Sequence, residues 1–233
     1  MSAPSPVLVL QHAPHEGPGL IARAIDAPLR VRTVLDVPEP ALPALDEVSG
    51  VVVMGGPMDA DDVRAHPGLA AERALLAAAV DADVPVLGVC LGMQLLGLAL
   101  GARLLRRHGS EVGFAPVDVV ADDPLLGSLG ERPTVLHWHD DSVDLPAGAT
   151  LLASTATTPV QAFRAGSALG LQFHAEVDAA LLDLWLSTPA MSAGLDDAEV
   201  AAIRADGAAH LPGLLPAAEK LFAGFGELVR ARG

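Results

Sequence analysis

The chain holds a single cysteine among its 233 residues, and the residues around it prepare it for chemistry. Cys90 stands in Gly88-Val89-Cys90-Leu91-Gly92. Before it lies an apolar run of strand length, 84–87, and after it an apolar helical pattern that ends at Gly101. A residue shared by strand, tight turn and helix projects from the sheet edge. The glycines two positions to either side remove the side chains that would crowd such a corner. The thiol then sits at a helix N-terminus, whose free N–H groups and dipole favour the thiolate form. That is a nucleophile's position, but a lone cysteine often packs as a small hydrophobe, so the assignment needs a base.

Residues 169–177 supply one. His174 is expected at the end of a strand over 169–173, with Glu176 two residues on. In an extended segment, residues two apart project to the same side. A carboxylate there can accept one imidazole N–H, fix the tautomer and leave the other nitrogen for the thiol. Of the eight histidines, His12, His15, His66, His108 and His210 have no carboxylate so placed and read as surface or core decoration. The third part is Gly55-Gly56-Pro57, a turn that exposes backbone N–H groups after the apolar run 50–54. Acyl transfer from an amide needs donors aimed at the oxygen that becomes negative, each worth about 10²–10³ in rate. The N–H groups of Gly56 and Leu91 are the natural pair, and the glycines let the turn take more than one peptide orientation. His139 and Asp140 could be read as a metal pair, but no third ligand lies nearby in sequence, so no metal is expected.

These residues need a scaffold. Strand runs at 7–10, 29–35 and 50–54 alternate with helical spacing at 20–25 and from Pro67 to about Val80. That alternation argues for a parallel sheet covered on both faces. After Gly101 come short runs at 117–120, 135–138, 151–153, 160–163 and 169–173, expected as an antiparallel section at the sheet edge. From Asp178 helices return at 179–186, from 196 to about 209 with Asp196 as N-cap, and at 214–230. No internal repeat or linker divides the sequence, which reads as one domain, 1–233, with a helical tail from about 178.

Composition narrows the function. Apolar residues make up 51% and aromatics 3%, so the core must be aliphatic. A formal charge of −15 repels phosphate backbones and excludes nucleic acid as a partner. The uncharged stretch 84–102 nears the length of a membrane span, but Pro85, its glycines, Gln94 and its strand-like first half argue against one. One cysteine excludes an intrachain disulfide and fits a reducing cytoplasm, and the N-terminus does not read as a signal peptide.

Gly88-Val89-Cys90-Leu91-Gly92-Met93-Gln94, then Glu111-Val112-Gly113-Phe114, then Gly170-Leu171-Gln172-Phe173-His174-Ala175-Glu176 resembles the class I (triad) glutamine amidotransferases. The Gly-Gly-Pro turn and the order Cys, His, Glu match as well, over about 7–177, and the stand-alone, GMP-synthase-like branch is the most similar. The resemblance implies an α/β, three-layer, open and mostly parallel sheet of flavodoxin-like type, with an antiparallel edge section and a helical C-terminal tail. It implies Cys90 as nucleophile, His174 as general base and acid, Glu176 as its orienter, and Gly56 and Leu91 as the oxyanion hole. Gln94, Gly113 and Phe114 fall where the family holds the amino-acid end of glutamine. Ala175 stands where the family usually has proline. Residues 136–142 resemble the loop that borders the family's active site. The implied reaction needs no cofactor: hydrolysis of the γ-amide of glutamine through a γ-glutamyl thioester, with release of ammonia. Transfer to an acceptor would require a synthetase in trans, since this sequence holds no synthetase half. A γ-glutamyl peptidase or hydrolase would keep the chemistry and change the leaving group. A non-catalytic binding module would require a retired site, whereas all three triad residues are present.

Overall fold

In the computed structural model, which describes residues 5–35 and 37–232, the valine- and leucine-rich runs become the centre of a sheet. The first half supplies strands β1 (Val7–Leu10), β2 (Leu29–Arg32), β3 (Gly50–Val53) and β4 (Val86–Val89), with helices α1 (Gly19–Ala24), α2 (Gly68–Asp81) and α3 (Leu91–Ala99). The second half adds β5 (Leu104–Leu105), β6 (Glu111–Pro116), β7 (Asp118–Val119), β8 (Thr134–His139), β9 (Ser142–Val143), β10 (Thr150–Ser154), β11 (Ala162–Ala165) and β12 (Ala168–Leu171). Helices α4 (Ala179–Ser187), α5 (Pro189–Ser192) and α6 (Asp197–Arg232) close the chain.

The main sheet runs β2-β1-β3-β4-β12-β11-β10-β7. From β2 to β12 neighbours are parallel, and from β12 to β7 they are antiparallel, so the sheet is mostly parallel with an antiparallel edge. Strand alternation divides the core between two helical layers. Val7, Val9, Val52, Leu87 and Val89 face α1, α4 and α6, while Leu8, Leu10, Val51, Val53 and Val86 face α2 and α3.

Three expectations need correction. The run 135–138 does not join the sheet edge: β8 leaves it and pairs antiparallel with β6, from Glu111 opposite His139 to Pro116 opposite Thr134. β6, for which no strand was expected, carries Gly113 at φ 103° and Pro116, residues that strands disfavour. β2 stops at Arg32 instead of 35, because its neighbour β1 turns away after Gln11 N–H donates to the Arg32 carbonyl at 2.9 Å. β12 likewise ends at Leu171, so His174 lies in a bend beyond it, tied by its own N–H to the Leu136 carbonyl at 2.8 Å.

The tail departs further from expectation. Asp196 and Glu199 form a reciprocal cap at the start of α6, each accepting the other's backbone N–H at 2.8 Å. The helix then runs for 36 residues through Pro212 and Pro216, where the sequence argued for two helices. An interior proline costs about 3 kcal/mol. Against this, Leu211, Leu214, Leu221, Phe222, Phe225 and Val229 form one buried stripe on the sheet, each worth about 1.5–3 kcal/mol on burial. Packing outweighs the breakers. Among the described residues no helix is long and apolar enough to cross a membrane. Truncating the fully buried Phe222 to Ala is expected to cost about 3–5 kcal/mol in denaturant unfolding. Lys220→Ala, on the exposed face, should stay within about 0.5 kcal/mol.

Candidate active site

The residues singled out for chemistry meet at the carboxyl edge of β1, β3, β4 and β12, beside the point where strand order reverses between β1 and β3. Crevices form at such points. Cys90 makes the corner between β4 and α3 with φ 53° and ψ −110°, a backbone state that residues other than glycine rarely adopt. Its N–H donates to the Leu171 carbonyl at 2.7 Å, and its carbonyl accepts from Gln94 N–H at 3.1 Å to begin the helix. The flanking glycines are sterically required. A Cβ on Gly88 would lie 2.6 Å from the Gly92 carbonyl oxygen, and one on Gly92 would run into the backbone of Val53. The thiol is 7% exposed and lies 3.7 Å from the Trp138 carbonyl oxygen.

His174 and Glu176 are both buried, with Nδ1 of the ring 2.7 Å from the carboxylate Oε1. The Trp185 ring of α4 meets His174 edge-on, with centroids 4.8 Å apart, and its indole N–H donates to the His15 carbonyl at 2.7 Å. Leu20 N–H holds the Glu176 carbonyl at 2.9 Å. Burial opposes charge on His174, but the Glu176 carboxylate and the hydrogen bond with Cys90 prevail and raise its pKa well above 6.5. The ring lies between Cys90 and the Glu176 carboxylate, and both favour its charged form.

Cys90, His174, Gly56, Leu91 and Gln94 line one cleft of about 510 Å³, with Glu176 behind His174. Gln94 is anchored there, its amide N–H donating to the Asp141 carbonyl at 3.0 Å and to Gln172 Oε1 at 3.3 Å. Gly113 and Phe114 do not reach the cleft. Helix α6 packs on β6, so Phe114 stacks on His210 with centroids 5.9 Å apart, and Gly113 faces Ile203. Ser110 and Val112 take that wall instead. The opposite wall comes from Met191 and Leu195 around α5, an element too short to show a periodic signal. Glu16 also lines the cleft, and burial raises its pKa against the opposing charges of His174 and His12. Sequence reasoning missed Glu16 because it lies among turn residues; its only signal was a carboxylate in the loop after the first strand.

His12 is not decoration. Its Nδ1 lies 2.9 Å from the Gly55 carbonyl oxygen and its Nε2 2.9 Å from Glu72 Oε2, with both side chains buried. Glu72 sits on the buried stripe of α2 with Leu69 and Leu76, and a carboxylate on that apolar face was the available clue. Glu111, His137 and His139 also converge closely enough to hold a metal ion, because register puts Glu111 opposite His139 and His137 is two residues on. The Glu111 carboxylate also accepts from Gln161 Nε2 at 2.5 Å. Burial opposes its charge, but hydrogen bonding with His139, Thr155 and Thr158 holds its pKa at about 2. The Glu111 carboxylate thus links β6 to residues 155–161, with His139 Nε2 3.3 Å and His137 Nδ1 3.9 Å from it. Asp140, the other residue of the sequence-read pair, accepts instead from Ser110 Oγ at 2.6 Å.

The description "Glutamine amidotransferase class-I" belongs to the family model that matches residues 22–183, well over half of the chain. The chain belongs to the class I glutamine amidotransferases. Among relatives of this amidotransferase, a glutamine-hydrolyzing GMP synthase of Thermomicrobium roseum is 37% identical over 129 residues, 55% of this chain and 23% of that protein. The chain therefore spans under a quarter of that relative's length. A glutamine-hydrolyzing GMP synthase subunit from Sulfolobus acidocaldarius is 32% identical over 154 residues, 64% of this chain and 78% of that one. A crystal structure of a glutamine amidotransferase from Thermotoga maritima superposes with a TM-score of 0.86 at 29% identity, covering 97% of this chain and all of that one.

The cluster of Glu111, His137 and His139 beside the cleft makes stability pH-dependent. Burial lowers the His137 pKa from 6.5 to about 4, so below 6.5 the unfolded chain binds a proton that the folded one refuses. Its contribution is whole above 6.5 and is lost as pH falls toward 4. The Glu111 contribution follows, lost between 4.5 and about 2. The urea midpoint should thus fall on acidification through 6.5 to 4, and His137→Gln should flatten that part of the curve.

Proposed function

We propose that this chain hydrolyses the γ-amide of glutamine with Cys90 as nucleophile. The observation that carries the reading is the buried Cys90–His174–Glu176 line opening into a cleft with Gly56 and Leu91 on its wall. The Cys90 thiolate, stabilised by the His174 imidazolium, attacks the amide carbon. The oxygen turns negative within reach of the Gly56 and Leu91 N–H groups, a charge that preorganised donors stabilise in a site shielded from water. His174 gives its proton to the departing nitrogen and ammonia leaves, with a γ-glutamyl thioester on Cys90. Neutral His174 then takes a proton from water, hydroxide attacks the thioester, and collapse frees glutamate and restores the ion pair. Glu176 holds the ring and stabilises its charge without taking the proton. Glu16, Asp59, Asp140 and Asp141 make the cleft acidic, which suits the α-ammonium group of an amino-acid substrate. Relatives named as a GMP synthase and as one subunit of such a synthase support a synthetase in trans as acceptor of the ammonia.

A second reading rests on the size of the cleft. Its volume of about 510 Å³ lies in the range of pockets for drug-sized ligands, about 300–1,000 Å³, and leaves room for a leaving group larger than ammonia. Turnover of glutamine should therefore be compared with that of γ-glutamyl anilides and peptides, with and without a candidate synthetase. Faster turnover of the anilides under every condition would favour the γ-glutamyl hydrolase. On the preferred substrate, Cys90→Ala should abolish product release and labelling by a thiol-alkylating glutamine analogue, and His174→Ala should cost about as much, since triad members act as a unit. Glu176→Gln should cost less. A harmless Glu176→Gln beside a crippling Asp140→Asn would reassign the orienter.

A further inference from the structure

The pair His12–Glu72 touches neither the thiol nor the catalytic imidazole, yet it grips the turn that carries one of the two oxyanion donors. A carbonyl oxygen can only accept, so the 2.9 Å contact with Gly55 requires a proton on His12 Nδ1. The 2.9 Å contact between Nε2 and the Glu72 carboxylate requires a second proton on that line. Neutral imidazole carries one N–H, so both bonds form only when the pair holds an extra proton, as imidazolium against carboxylate. The surroundings favour that state. Burial works against it, while Glu72 from α2, the Gly55 carbonyl and Glu16 from the loop after β1 all raise the His12 pKa above 6.5.

The Gly55 carbonyl and the Gly56 N–H belong to one planar, trans peptide, so they point in opposite directions. Drawing the carbonyl onto His12 therefore aims the N–H away from His12. Glycine on both sides of this peptide makes its rotation inexpensive unless something holds it. We propose that the proton shared by His12 and Glu72 latches the Gly55–Gly56 peptide in the orientation that presents the Gly56 N–H to the cleft, making His12 a positioning residue for amide hydrolysis. The inference rests on the reading of Gly56 as an oxyanion donor. It adds a pH dependence that the triad does not supply: as pH rises and the pair loses its proton, the Gly55 carbonyl loses its donor and the hole slackens.

The test compares the pH dependence of kcat with that of Cys90 alkylation by a glutamine analogue. Alkylation reports the thiolate–imidazolium pair, whereas turnover also needs the oxyanion hole. In the wild type, the alkaline fall of kcat should lie at lower pH, or be steeper, than that of alkylation. Glu72→Gln lets its amide donate to Nε2 of a neutral ring whose Nδ1–H still serves Gly55, so in that variant the two alkaline falls should coincide. His12→Ala should lower kcat by about ten- to a hundredfold, part of the 10²–10³ that one donor supplies, with KM within about threefold and alkylation retained. A wild-type kcat in His12→Ala, or an alkaline fall that Glu72→Gln does not move, overturns the latch. A wild type that alkylates yet turns over neither glutamine nor γ-glutamyl anilides refutes the functional reading instead. The latch is then judged by ¹⁵N resonances alone: His12 should be doubly protonated near neutral pH and protonated only at Nδ1 in Glu72→Gln, and a neutral wild-type ring at that pH overturns it.

Discussion

The close approach of the first turn of α3 to the end of β3 governs the rest of the site. Gly92 lies so near the Val53 backbone that no side chain fits between them, and this contact fixes where Cys90 emerges from β4. β4 lies between β3 and β12 with all three strands parallel, so their following loops leave the same edge. Neighbouring strands are about 4.8 Å apart. The turn at 55–57 and the bend at 172–176 therefore flank the thiol by topology, before any side chain makes a bond. The loop after β1, one strand further out, brings His12 and Glu16. Residues distant in sequence meet because parallel strands deliver their carboxyl ends together.

Electrostatics then separates three of the four histidines that are buried among the described residues. His174 lies 2.7 Å from Glu176 and His12 lies 2.9 Å from Glu72, and both rings are held toward the charged form. His137 is equally buried, but its nearest carboxylate, on Glu111, is 3.9 Å away and engaged by other donors, and its pKa falls to about 4. Desolvation is opposed in all three cases; a direct hydrogen bond to a carboxylate decides the sign. In both pairs one ring nitrogen faces the carboxylate, and the other faces the thiol in one case and the Gly55 carbonyl in the other. The protein thus uses one arrangement twice: a carboxylate favours the protonated form of a ring whose other nitrogen faces the carboxyl edge of the sheet.

What could be read from the sequence was local. The strand–turn–helix around Cys90 and the spacing of His174 and Glu176 are short-range patterns, and the structure brings these residues together. The alternation of apolar runs likewise announced the parallel half of the sheet. Contacts made across the chain were not legible. Glu72 lies sixty positions from His12, so a rule that sought a carboxylate beside each histidine passed over the pair. β6 carries two residues that strands disfavour, Gly113 and Pro116, and only its partner β8 holds them in a ladder. The prolines of α6 misled for the same reason: local propensity argued for a break, and a long buried stripe overrode it.

The tail shows where a family resemblance stops informing. The match to the class I family ends at residue 183, whereas Trp185 packs on His174, and Met191 and Leu195 wall the cleft. The Thermotoga maritima structure covers nearly all of this chain, so the path of the tail is shared even where the family model is silent. Cys90, His174 and Glu176 are set by the sheet edge, where Gly88, Gly92 and the parallel strands fix the backbone. The far wall is carried by α5, a single turn suspended between α4 and α6, and its side chains can vary without disturbing a strand. On the proposed reading, chemistry and selectivity therefore rest on different parts of the chain. Substitutions on the sheet edge should alter the rate of any amide hydrolysis, while those around Met191 and Leu195 should alter which amides enter.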